Sequence, residues 1–156
     1  MIICTIILSG LVAGLLYGYA CSVNLGLHQL GNKEYLSAMQ SINTAILNPV
    51  FFSTFMGSLV MLCFTAFQLR TRQTEAFYCI LIAMLIYMIG VFGVTIFVNV
   101  PLNNRLASFN ISAASERELF GMRAIFEKRW NTFHLIRTIA SVAAFVLSII
   151  ALIKIK

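Results

Sequence analysis

Four long apolar runs, residues 2–23, 49–69, 76–98 and 132–153, decide what this chain can fold into. Each is close to the roughly 20 residues needed to cross a hydrocarbon core about 30 Å thick. The first three hold no Lys, Arg, Asp or Glu, and the fourth holds only Arg137. A segment in lipid must satisfy its own backbone donors and acceptors, so runs of this length read as helices. The expected fold is all-α, a four-transmembrane-helix bundle with spans near 2–28, 49–69, 76–98 and 132–153. Short amphipathic helices are expected in the 1–2 and 3–4 connections, and residues 1–156 read as a single integral membrane domain.

Composition agrees with this reading. The chain is 60% hydrophobic and only 10% charged, whereas soluble domains sit near roughly 45–50% and 25%. The stretch from 99 to 131 is too short to bury a core alone. The net charge is +6 and Asp is absent, but the Lys and Arg residues gather at helix ends and in loops, where lipid headgroups lie. Membrane lipids, not nucleic acid, are therefore the expected partners of this charge. Positive residues fall on both sides of the bundle. Arg70, Arg72, Lys154 and Lys156 lie on the terminal side, and Lys33, Arg105, Arg117, Arg123, Lys128 and Arg129 lie on the loop side. Orientation stays open. Cys4, Cys21, Cys63 and Cys79 all lie in apolar runs and form no Cys-x-x-Cys pair, so they read as small hydrophobes. The first run has no Lys or Arg before it and is too long for a leader's apolar region, so it reads as helix one.

Local signals refine the outline. Gly10, Gly14, Gly18, Ser22 and Gly26 recur every fourth residue on helix one. Such a stripe lets another helix approach closely, either inside the bundle or in a homodimer through the Gly10/Gly14/Gly18 face. A second stripe holds Tyr17, Cys21, Asn24 and His28. Residues 31–47 read as a short amphipathic helix, and Pro49 suits the first turn of helix two. Pro101 is expected to end helix three. Ser115 and Glu118 have capping-box spacing and start a helix that leads toward helix four.

Polar residues converge on the loop side of the bundle. His28 ends helix one, and His134 lies in the first turns of helix four. Asn43, Asn99, Asn103, Trp130 and Asn131 fall at the same level, and Glu127, Asn131, His134, Thr138 and Ser141 share a helical stripe. Arg137 follows His134 by three residues and is its near neighbour. An ionisable group in a spanning helix is costly and needs a partner. Three readings of this cluster stand side by side. Asparagines and histidines lock helices together by hydrogen bonds. Alternatively, the cluster is an enzyme pocket in which a histidine takes a proton while Arg137 and the amides stabilise negative charge. In the third reading, His28 and His134 ligate haem or copper. No phosphate-binding loop, nucleophile elbow or His-Glu-x-x-His motif is present.

Three segments resemble a known family of small membrane proteins. They are Ala38-Met39-Gln40-Ser41-Ile42-Asn43 with Asn48-Pro49-Val50-Phe51, then Asn99-Val100-Pro101-Leu102-Asn103-Asn104, and then Trp130-Asn131-Thr132-Phe133-His134-Leu135-Ile136-Arg137-Thr138. Together they look like the anthrone-oxygenase-like family. The resemblance implies oxidation of an anthrone, or another lipophilic aromatic molecule, by molecular oxygen without an organic cofactor. Its largely bacterial membership implies a bacterial inner membrane. His134, Arg137 and Asn103 would then be catalytic, and Asn43, Asn99, Trp130 and Asn131 would bind substrate. His28 lies outside the three segments and joins the binding set by position alone. The alternative is a non-catalytic bundle that binds a lipophilic ligand or a partner membrane protein.

Overall fold

The computed structural model describes residues 1–71 and 73–155. Arg72 and Lys156, counted above for orientation, lie outside the described residues. Five helices and no strands are found among the described residues. Helix α1 is Ile2–His28, α2 is Asn32–Ala45, α3 is Pro49–Leu69, α4 is Thr74–Ala107 and α5 is Glu116–Lys154. All but α2 are long and apolar enough to cross a membrane, so the chain is a multi-pass bundle. In cross-section α1 packs on α3 and α5, and α4 packs on α3 and α5, while α2 lies over the ends of α4 and α5.

The outward faces are apolar because lipid, not water, meets them. Ile3, Ile7, Leu11 and Leu15 step down one exposed face of α1. The inward faces carry small and hydroxyl side chains, as expected where apolar burial gives no advantage over lipid and close packing decides. On α5 the buried positions Ser141, Ala144, Ser148 and Ala151 follow helical spacing. Thr5 and Thr65 hydroxyls meet at 2.8 Å between α1 and α3, and the Tyr87 hydroxyl donates to the Phe55 carbonyl at 2.9 Å. Gly90 sets the α4–α5 approach, since a Cβ there would lie 2.7 Å from the Ala140 Cβ.

The glycine stripe of α1 divides. A Cβ on Gly10 would come 2.9 Å from the Phe145 ring, whereas Gly14, Gly18 and Gly26 have nothing within 4 Å. Bundle packing therefore accounts for Gly10 alone.

One boundary differs from the sequence expectation. Helix α4 does not stop before Pro101 but runs to Ala107. Its segments Tyr87–Gly93 and Thr95–Asn99 are π-helical, and α-helical bonding resumes at Val100–Ala107 with the proline in its first turn. A missing N–H is tolerated at such a restart, because the first N–H groups of an α-segment lack α-type partners in any case. The amphipathic helix expected in the 3–4 connection is the segment Val100–Ala107, continuous with α4, and the helix begun at Ser115 runs straight into the fourth span, so only residues 108–115 remain as a loop. The capping box forms as expected: the Ser115 N–H donates to Glu118 Oε2 at 2.8 Å, and the Glu118 N–H donates to Ser115 Oγ at 3.4 Å.

Outside the apolar runs the two connections build a core together that neither could build alone. Tyr35, Leu36 and Met39 of α2 bury against Leu102 and Leu106 of α4 and Leu119 and Phe126 of α5. Arg123 ties this cap to the end of α1. Its guanidinium donates to the carbonyls of Leu30 at 2.6 Å and His28 at 2.8 Å, pairs with Glu127 at 2.7 Å and lies 4.5 Å from the centre of the Tyr35 ring. Helix C-termini leave carbonyls unpaired, and here a cation from another helix satisfies two of them.

Candidate functional site

Between the membrane core and the outer cap lies a cavity of about 120 Å³, lined from α1, α2, α3, α4 and α5. Helix α5 supplies Trp130, His134 and Arg137, at spacings of four and three on its buried face. The π-helical stretch of α4 and the turn after it supply Thr95, Asn99 and Asn103. Helix α2 supplies Asn43, and α1 supplies Leu16 and Tyr19, the latter opening the π-helical segment Tyr19–Val23. Short π segments inside α-helices recur at functional sites, because they shift a helix face without ending the helix.

Arg137 is the centre of the arrangement. It is 8% exposed. Its Nη2 donates to His134 Nδ1 at 2.9 Å, and its Nη1 donates to Thr95 Oγ1 at 3.2 Å. The guanidinium carbon lies 5.6 Å from the centre of the Trp130 ring. Its Nε is buried without a partner. Among the described residues no carboxylate pairs with it, since the ion pairs found join His28 to Glu127, Arg123 to Glu127, and Lys154 to Glu75. A buried cation held only by neutral groups is costly and marks a place where a negative ligand atom would be stabilised.

His134 orients that cation. Its Nε2–H donates to the Leu16 carbonyl at 3.1 Å, which fixes the tautomer and leaves Nδ1 as the acceptor for Arg137. The imidazole stacks on Trp130 at 4.9 Å and 8°. Trp130 is held in turn by a bond from its Nε1–H to Asn103 Oδ1 at 2.8 Å. Tyr19 closes the other side, with its ring 5.1 Å from His134 and 5.4 Å from Trp130. Besides Arg137 Nε, the buried atoms Asn43 Nδ2 and Asn99 Oδ1 have no partner, and neither has Asn131 Oδ1 outside the cavity. The residues that carry the first three atoms, Arg137, Asn43 and Asn99, all line the cavity. Native interiors rarely leave such groups unpaired, so they point to a ligand.

The structure brings Asn43, Asn99, Asn103, Trp130, His134 and Arg137 to one cavity. It does not bring Asn131 or His28 there. Both line a shallow surface pocket with Glu127 and Lys128, and the His28 side chain is 74% exposed, with Nδ1 2.7 Å from Glu127. The two histidines therefore belong to different sites, and both ring nitrogens of His134 are already engaged. Among the described residues no three His, Cys, Asp or Glu side chains gather as metal ligands. Leu16, Tyr19 and Thr95 also line the cavity, outside the three family-like segments, as does Phe51 from within one of them. Tyr19 and Thr95 each stand at the first position of a π segment, where regular helical spacing from the sequence stops being a guide.

A four-span membrane bundle whose polar cavity holds a buried arginine with no carboxylate partner among the described residues is the class of protein these features define. The anthrone oxygenase family model matches residues 50–147, and the chain belongs to that family. The matched stretch contains Asn99, Asn103, Trp130, His134 and Arg137, while Leu16, Tyr19 and Asn43 lie before it. No curated protein and no solved structure matches the chain.

Proposed function

We propose that the protein is a membrane oxygenase acting on a lipophilic aromatic molecule with an enolisable ketone, an anthrone or a close analogue. Membership of the anthrone oxygenase family supports the reaction class. The single observation that carries the assignment of the site is the buried Arg137, with its unpaired Nε and no carboxylate partner among the described residues.

The ring CH₂ of an anthrone loses a proton, and the charge moves to the ketone oxygen. Arg137 Nε and Asn43 Nδ2 are the unpaired donors available to that oxyanion, in a site largely shielded from water. The proton goes to His134 Nδ1. That lone pair is bound to Arg137 in the resting arrangement, and the ketone oxygen of the bound substrate draws the guanidinium toward itself and frees it before the proton leaves carbon. The electron-rich anion then reduces dioxygen, a C–O bond forms at the former CH₂ carbon, and the resulting hydroperoxide loses water to leave C=O. The balance is CH₂ plus O₂ to C=O plus H₂O, with the substrate supplying all four electrons. Trp130, stacked on His134 and held by Asn103, positions the imidazole. Localisation in a bacterial inner membrane belongs to the same proposal.

Isotopically labelled dioxygen tests the reaction. Purified protein in lipid should place one labelled atom in the new quinone carbonyl and the other in water. Label that enters the product no faster than without protein would overturn the proposal.

A further inference from the structure

The cavity does not end at its polar wall. Leu15, Ile46 and Phe51 line it and also line a second groove that continues along the α1–α3 seam past Leu11, Val50 and Thr54. The two spaces therefore adjoin at these three side chains, and Leu11, Leu15 and Val50 at the rim are exposed on the apolar outer face.

Polarity changes sharply between them. The groove's two polar side chains are satisfied by their own backbone. Asn48 accepts from the Phe51 N–H at 3.0 Å and donates to the Ala45 carbonyl at 2.9 Å. Thr54 donates to the Val50 carbonyl at 2.8 Å. The unpaired buried donors, Arg137 Nε and Asn43 Nδ2, lie at the cavity end. A ligand matching both spaces has an oxygen-bearing head and an apolar tail.

We infer that the substrate is a bilayer-dissolved amphiphile whose ionisable oxygen meets Arg137 and whose aliphatic substituent runs outward along the α1–α3 groove. This rests on the reading of Arg137 as the oxyanion's partner. The groove gives a tail little affinity beyond that of lipid, because lipid chains are equally apolar. Its consequence is admission: a head bearing a long substituent enters sideways from the bilayer without burying the chain in the cavity.

Trp130 is the only tryptophan of the chain and lines the cavity, so its fluorescence reports an occupant there. The probes are 2-hydroxy-3-methyl- and 2-hydroxy-3-decyl-1,4-naphthoquinone, which share an acidic head and a quenching ring. Affinities are measured in lipid nanodiscs as mole fractions in the bilayer, so that partitioning cancels. The wild-type protein should bind both alike. Thr54→Phe, which fills the groove, should keep the methyl probe and weaken the decyl probe by about tenfold or more. Leu11→Phe fills the same groove from α1 and serves as an independent check. Rejection of the decyl probe by the wild-type protein overturns the inference. So does an equal effect of filling on both probes, or no effect on either, as a resident lipid chain would give. Arg137→Gln separates the two layers. Loss of both probes supports the head contact. Retention of both overturns the proposed function, while chain-length selection by Thr54→Phe would still support the groove.

Discussion

Arg137 carries a cost and, in the proposed reaction, a role. Placing an arginine well inside a spanning helix costs roughly 2.5–3.5 kcal/mol on insertion scales when it lies at the helix centre. Thr95, His134 and the Trp130 ring offset part of this, but none brings a negative charge. Arg137→Met should therefore leave resistance to unfolding in detergent unchanged or raised while abolishing turnover. A large loss of stability in that variant would make the arginine a structural tie instead. Arg137→Lys keeps the charge but loses the planar fork and the Nε donor. Its turnover should fall by about 10²-fold or more, the scale seen when one oxyanion donor is removed. Steady-state oxygen uptake at saturating substrate checks it. Trp130→Phe keeps the stack on His134 but removes the bond to Asn103. It should reduce turnover less than His134→Ala, and parallel assays of the two variants decide the order.

At the scale of elements, close approach and capping should dominate stability. Gly90→Ala sets two Cβ atoms 2.7 Å apart across α4 and α5. Overpacking of this kind costs typically 1–3 kcal/mol, so the midpoint of unfolding in a denaturing detergent should fall clearly. Arg123→Ala leaves the His28 and Leu30 carbonyls and Glu127 without their cation. A loss of about 1–3 kcal/mol is expected, together with faster proteolysis at residues 29–31, where α1 passes to α2. Sequence periodicity reached α1, α3 and the capping box of α5, because each is set by local chemistry. It stopped α4 too early, because Pro101 is a strong break signal and the π-helical turns that absorb it leave no pattern in composition. For the same reason Tyr19 and Thr95 were missed. Trp130 and Asn131 are neighbours in the chain, yet only Trp130 turns into the cavity, and which of them does so depends on how α5 rotates against α1 and α4.

For the whole molecule, the outline was legible because lipid imposes it: four apolar runs must be helices, and a chain this short has few ways to arrange them. The convergence of polar residues on one side was legible too, since the topology returns His28, Asn43, Asn99 and His134 to the same end. Its division into a buried cavity around Arg137 and a surface pair of His28 with Glu127 was not legible. That division depends on the extramembrane cap, in which Arg123 holds the end of α1 and brings His28 against Glu127.

The measurement closest to the central claim is oxygen consumption by the purified protein in lipid with an anthrone as substrate, wild type beside Arg137→Gln. The account predicts protein-dependent uptake, one O₂ per quinone formed, that falls to the uncatalysed rate in the variant. Uptake that is equal in the two proteins, with both folded, would contradict it.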